Sequence, residues 1–106
     1  MLNRRKIPRK HLYEFFKTVD RNTNELTGHL TDISVEGINL ITNQKLEPNK
    51  VYELKILLPE YMRYESINFD VVCIWCKTEL TDYVYRAGFQ LLKISLQDKE
   101  LIESIF

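Results

Sequence analysis

Along VYELKILLP, Tyr52, Leu54, Ile56 and Leu58 alternate with Glu53, Lys55 and Leu57. A period of two belongs to a half-buried β-strand, and Pro59 ends it. The same kind of segment recurs along the chain. Residues 12–19 (LYEFFKTV) are rich in aromatic and β-favouring types and run into the turn-like DRNTNE. Residues 26–33 (LTGHLTDI) predict a second strand, and 37–42 (GINLIT) a third, entered through the turn residues of DISVEG. A loop through Asn43, Pro48 and Asn49 leads to the fourth strand, and EYMRYES is a polar-aromatic connection out of it. Residues 67–77 (INFDVVCIWCK) and 83–94 (YVYRAGFQLLKI) predict the last two strands, with TELTD as their connection. Six strands joined by short turns point to an all-β chain, an antiparallel barrel or sandwich. The period changes in the final SLQDKELIESIF. Ser95 and Asp98 have capping-box spacing, and Leu101, Ile102, Ile105 and Phe106 share one helical face. A short terminal helix closing one end of a small barrel is expected.

Length and composition narrow this to one domain. A chain of 106 residues is near the size at which a single core stands alone, and 44% hydrophobic with 28% charged residues is a globular mixture, not a disordered one. The net charge is zero but unevenly placed. The first ten residues hold five of the fifteen Lys and Arg residues and none of the fifteen acids, so the body is acidic and the start strongly basic. A nucleic-acid binder with a long backbone to follow would carry positive charge along its body as well. No apolar run approaches the ~18–20 residues that span a bilayer. His11, Glu14 and Lys17 interrupt any signal-peptide core behind the basic start, so a cytoplasmic protein without membrane insertion is expected.

Several constellations carry little chemistry. CIWC at 73–76 is formally C-x-x-C, but it lies inside an apolar strand, where residues three apart face opposite sides, and no second pair completes a metal site. Two packed cysteines are expected there. His11 and His29 stand in different segments, and no nucleophile–base grouping is visible. No catalytic or metal residue is assigned, and no enzyme is expected.

Two stretches say more. In TDISVEGINL, Asp32 and Ser34 have short oxygen-bearing side chains that bond nearby backbone, and Gly37 can take φ > 0 where a turn enters the next strand. A well-made turn explains this, and so does a site with an acceptor pair, a hydroxyl and room for a ligand. In RRKIPRK, arginine leads at Arg4, Arg5 and Arg9, and Pro8 stiffens the backbone before Arg9. Guanidinium groups suit bidentate phosphate binding, guanine O6 and N7, and base stacking. Lys6 and Lys10 add general attraction.

Taken together, Arg5 and Arg9 form R-x-x-x-R, and Asp32, Ser34 and Gly37 form D-x-S-x-x-G, 23 positions after Arg9. This pair resembles the PilZ family, bacterial receptors for cyclic di-GMP. Gly28, Leu58-Pro59, Val71 to Trp75, the Tyr-Arg-Ala-Gly-Phe run at 85–89 and the Ile-Ser…Asp…Leu-Ile ending extend the resemblance over nearly the whole chain. It implies a six-stranded antiparallel β-barrel of PilZ type (12–94) with a basic, flexible arm at 1–11 and a C-terminal helix at 95–106. It also implies cyclic di-GMP as ligand and no cofactor. Arg5 and Arg9 would grip phosphate and guanine, Asp32 a guanine edge, Ser34 would add a hydroxyl contact, and Gly37 would keep the turn tight. Arg4, just before the first motif arginine, looks like the version that takes a stacked pair of ligand molecules.

Many relatives carry a domain ahead of R-x-x-x-R, whereas only three residues precede Arg4 here. The expected output is therefore a surface, formed by the ordered arm, that a separate effector protein reads. Glu36 would weaken binding if it pointed into the site. Relatives reach motility, exopolysaccharide synthesis, biofilm formation and virulence, and nothing in this sequence chooses among them. A monomer or weak homodimer is expected, with no DNA or RNA partner. Two alternatives stay open: a ligand-free adaptor of the same fold, and a small barrel binding single-stranded nucleic acid through the arm and aromatics such as Tyr61 and Tyr64.

Overall fold

Six strands, β1 (Lys17–Asp20), β2 (Leu26–Ile33), β3 (Gly37–Thr42), β4 (Val51–Leu57), β5 (Ser66–Glu79) and β6 (Thr81–Lys93), precede one helix, α1 (Leu96–Ile105). The computed structural model describes residues 16–59, 65–79 and 81–105. The strands close into an antiparallel barrel in the order β1-β2-β3-β6-β5-β4, with β4 pairing back onto β1. Every pairing in the ring is antiparallel.

The alternation in the sequence becomes the inside and outside of this barrel. Leu54 and Ile56 of β4 are fully buried, and so are Ile67, Phe69 and Val71 of β5, while the residues between them are wholly or partly exposed. Leu30 and Leu40 meet in register across β2 and β3, and Phe89 adds an aromatic ring from β6. Its ring stands edge-on to Tyr52 at 5.9 Å. Thr18 is the exception inside. It is fully buried, and its Oγ1 has no hydrogen-bond partner among the described residues.

The helix covers one end of the barrel by burying Leu101 and Ile102. Ser95 caps it, its Oγ accepting from the Asp98 N–H at 3.1 Å. The capping box is one-sided, because the Asp98 carboxylate instead accepts from the Asn68 N–H at 3.4 Å and ties the helix to β5. Among the described residues no helix is long and apolar enough to cross a membrane.

Three observations depart from the sequence reading. The β1 strand described is only Lys17–Asp20, and positions 12–15 of the expected strand lie outside the described residues. TELTD is mostly strand, because the β-favouring Thr78, Thr81 and Tyr83 carry the β5–β6 ladder on to Glu79 and Thr81. The third concerns CIWC. Cys73 lies opposite Phe89, Trp75 opposite Gly88 and Cys76 opposite Ala87, so β5 holds one extra residue in a bulge. Phe89 and Ala87 share the inner face. The bulge therefore turns Cys73 and Cys76 to the same side, not to opposite sides, with Cys73 fully buried and Cys76 packed against the core. Burial is the main cause that pushes the Cys73 thiol up from its ordinary pKa, with the neighbouring Cys76 adding to it.

Candidate functional site

A second bulge sets the position of Asp32. Leu30 pairs with Leu40, but Asp32 pairs with Asn39 and Ile33 with Ile38, leaving Thr31 as the extra residue of β2. Strict alternation from the buried Leu30 would aim Asp32 into the core. With the bulge, Ile33 goes inward, 5% exposed, and Asp32 comes to the outer face beside Asn39. The Asp32 Oδ1 accepts from the Ile33 N–H at 3.0 Å.

The three residues after Ile33 form a tight connection. The Ser34 N–H donates to the Gly37 carbonyl at 2.9 Å, and the Ser34 Oγ accepts from the Glu36 N–H at 3.1 Å. The Glu36 carbonyl accepts from Leu91 N–H of β6 at 2.9 Å, which locks the turn to the neighbouring strand. Gly37 is needed here for a reason different from the expected one. Its φ is not positive; a Cβ would overlap the Phe89 carbonyl oxygen of β6. Close backbone approach demands the glycine, not a left-handed turn. Asp32, Ser34, Glu36, Gly37, Asn39 and Phe89 line an open hollow of about 220 Å³. Glu36 is itself exposed at its rim.

Pairing continues the surface beyond the motif. Asn39 lies opposite Gly88, and Gly88 opposite Trp75, so Asp32, Asn39, Gly88 and Trp75 form one outward row across β2, β3, β6 and β5. A second outward row runs beside it. His29 lies opposite Ile41, Ile41 opposite Arg86 and Arg86 opposite Lys77, and Lys17 of β1 extends the row beyond His29. The Lys77 Nζ stands 5.4 Å from the Trp75 ring centroid, and the Arg86 Nε is 3.8 Å from Glu79 Oε2. On a body that is acidic in total, the face holding Asp32 therefore carries a hydrogen-bonding row, an aromatic plane and a line of cations. Such a face can hold a planar, hydrogen-bonding, anionic molecule.

Asn39, Trp75, Lys77 and Arg86 were not picked out as site residues from the sequence. Asn39 is only two residues past Gly37, but the bulge at Thr31 decides that Asp32 faces it. Trp75, Lys77 and Arg86 stand far from the motif along the chain, and only the register of the barrel brings them to it. Arg4, Arg5 and Arg9 lie outside the described residues, as do Tyr61 and Tyr64. The structure does show where β1 begins. The Leu30 N–H donates to the Phe16 carbonyl at 3.0 Å, and Lys17 lies opposite His29, so the chain enters β1 beside the Asp32 end of β2. Arg9 is seven residues before Phe16, a span of at most about 24 Å.

Comparison with known proteins agrees with this architecture. Among solved structures, the Bacillus subtilis inhibitor of motility (MotI/DgrA) matches with a TM-score of 0.68 at 14% identity, over 84% of this chain and 43% of that one. Escherichia coli YcgR in complex with c-di-GMP matches with a TM-score of 0.61 at 16% identity, over 84% and 38%. K. pneumonia MrkH in its apo state gives 0.65 at 24% identity, over 84% and 43%. The chain thus spans less than half the length of each. No curated protein matches it. The PilZ domain model, however, matches residues 3–106, and with the closed six-stranded barrel and its terminal helix this settles the classification: the chain belongs to the PilZ domain family.

Proposed function

We propose that the protein is a receptor for cyclic di-GMP, non-enzymatic, whose ligand lies on the outer face of β2, β3, β6 and β5. The observation that carries this reading is the row Asp32, Asn39, Gly88 and Trp75, turned outward by the bulges at Thr31 and in β5 and flanked by Lys77 and Arg86. Its chemistry fits a ligand with two guanines and two phosphates. Asp32 and Asn39 address base edges, Trp75 a base plane, and the cationic row the phosphates. The chain's entry into β1 beside Asp32 supports Arg5 and Arg9 as the second half of the site, gripping phosphate and guanine from the arm. YcgR, a solved relative in fold, is itself in complex with c-di-GMP. Arg4 adds a second, stacked ligand molecule, and a separate effector protein reads the surface that ordering the arm creates.

Titration calorimetry with cyclic di-GMP, GTP and a short single-stranded oligonucleotide tests this. The reading expects selective binding of the first, two molecules per chain. Arg9→Ala loses a charge-assisted contact and on the order of 2–4 kcal/mol. One ligand per chain removes the role given to Arg4. Equal affinity for the oligonucleotide sinks the receptor reading in favour of a nucleic-acid barrel, and no binding at all favours the ligand-free adaptor.

A further inference from the structure

Trp75 begins on β5, but its indole does not lie over β5. A Cβ built on Gly88 of β6 would overlap the Trp75 Nε1 and Cε2 and stand 2.9 Å from Cζ2. The ring is therefore laid across the neighbouring strand, directly on the Gly88 backbone. Gly88 is followed in its row by Asn39 of β3, so the indole reaches to within one strand spacing, about 4.8 Å, of the residue that neighbours Asp32. Without that reach Trp75 and Asn39 would be two strands apart. The exposed Lys77 holds its ammonium 5.4 Å from the ring centroid.

Glycine is not needed at 88 for its backbone. Gly88 has no positive φ, so the chain conformation accepts an alanine there. What alanine cannot share is the volume of the indole. We infer that Gly88 is a positioning residue: its missing side chain is the seat that holds Trp75 flat and close to Asn39, as a platform on which a guanine of the ligand stacks. This rests on the receptor reading above and adds to it a residue that touches no ligand. A purely structural role, an aromatic shielding a strand glycine, uses the same contact. The two differ in what happens to binding.

The test is a double-mutant cycle read by cyclic di-GMP affinity, with Gly88→Ala, Trp75→Ala and the double variant, each checked for a cooperative thermal transition. Removing a stacked base contact is expected to weaken binding about tenfold or more. Gly88→Ala should weaken it comparably, and the double variant should bind no worse than Trp75→Ala alone, because Gly88 acts only through the indole. Trp75 is the only tryptophan in the chain, so its emission reports the seat directly. Acrylamide should quench it more strongly in Gly88→Ala, and saturating ligand should quench it in the wild type. Full affinity in a folded Gly88→Ala, or losses that simply add in the double variant, overturns the positioning role while leaving the receptor reading intact. If Gly88→Ala does not fold, wild-type emission decides: no change on saturation overturns the inference. A wild-type protein that binds no cyclic di-GMP overturns the receptor reading and this inference together.

Discussion

Gly37 and Phe89 are packed backbone to backbone, so closely that the carbonyl oxygen of Phe89 occupies the place where a side chain on Gly37 would begin. The contact joins β3 to β6 at the point where the Ser34–Glu36 connection is also fastened, through Glu36 to Leu91 and through Gly37 to Ser34. One residue thus serves the barrel closure and the shape of the candidate site.

Gly37→Ala is accordingly expected to push β3 away from β6 and to cost about 1–3 kcal/mol, as overpacking in a closed core does. Urea denaturation measures the loss. Cyclic di-GMP binding should fall further than stability does, since Ser34 and Asp32 move with the turn. A variant of wild-type stability and affinity would show that the two backbones can separate at no cost.

Thr18 gives a prediction of opposite sign. Its hydroxyl is buried without a partner among the described residues, and its shape is that of valine. Thr18→Val keeps the β-branched packing and removes the unsatisfied group, which should stabilise the barrel by about 1 kcal/mol. A calorimetric Tm about 5 °C higher is expected for a domain of this size. A lower Tm would mean that the hydroxyl is satisfied in solution.

Cys73 makes stability depend on pH. Burial, with Cys76 beside it, holds its pKa above the ordinary thiol value, so the folded state keeps a proton that the unfolded chain releases. Its contribution is therefore fully present below about pH 8.5 and is lost as pH rises through the folded-state value. Urea midpoints at pH 7 and pH 10 should differ less in Cys73→Ala than in the wild type. In the native protein at pH 8, Cys73 should also resist alkylation. An unchanged pH dependence in the variant, or prompt alkylation of Cys73, would contradict the assignment.

The sequence was most legible where the two-residue period runs undisturbed. β4 was readable from VYELKILLP, where Leu54 and Ile56 alternate with Glu53 and Lys55, and the limits of β2 and β3 were readable because turn residues bracket LTGHLTDI and GINLIT. It was least legible where bulges interrupt that period. Nothing in CIWC signals that an extra residue brings both thiols to the inner face, since the bulge is set by pairing with Phe89, Gly88 and Ala87 more than ten positions away. Of the site, Asp32, Ser34 and Gly37 were visible as a local pattern with a local chemistry. Asn39 was not, because the bulge at Thr31 sets its pairing with Asp32, and Trp75 was not, because it joins that row only through three strand registers. At Gly37 the expected positive φ is not found, and the reason for a glycine that the structure shows required knowing that β6 passes beside it.

The entry of the chain into β1 beside Asp32 has a consequence for concentration. On the receptor reading, the arginines and the barrel face are two binding groups joined by a tether of a few residues, so each sees the other at an effective concentration on the order of mM, however dilute the protein. Supplying residues 1–15 as a separate peptide to a barrel lacking them would restore binding only when the peptide itself reaches that range. Covalent linkage thus lets the two halves act together at the low protein concentrations of a cell.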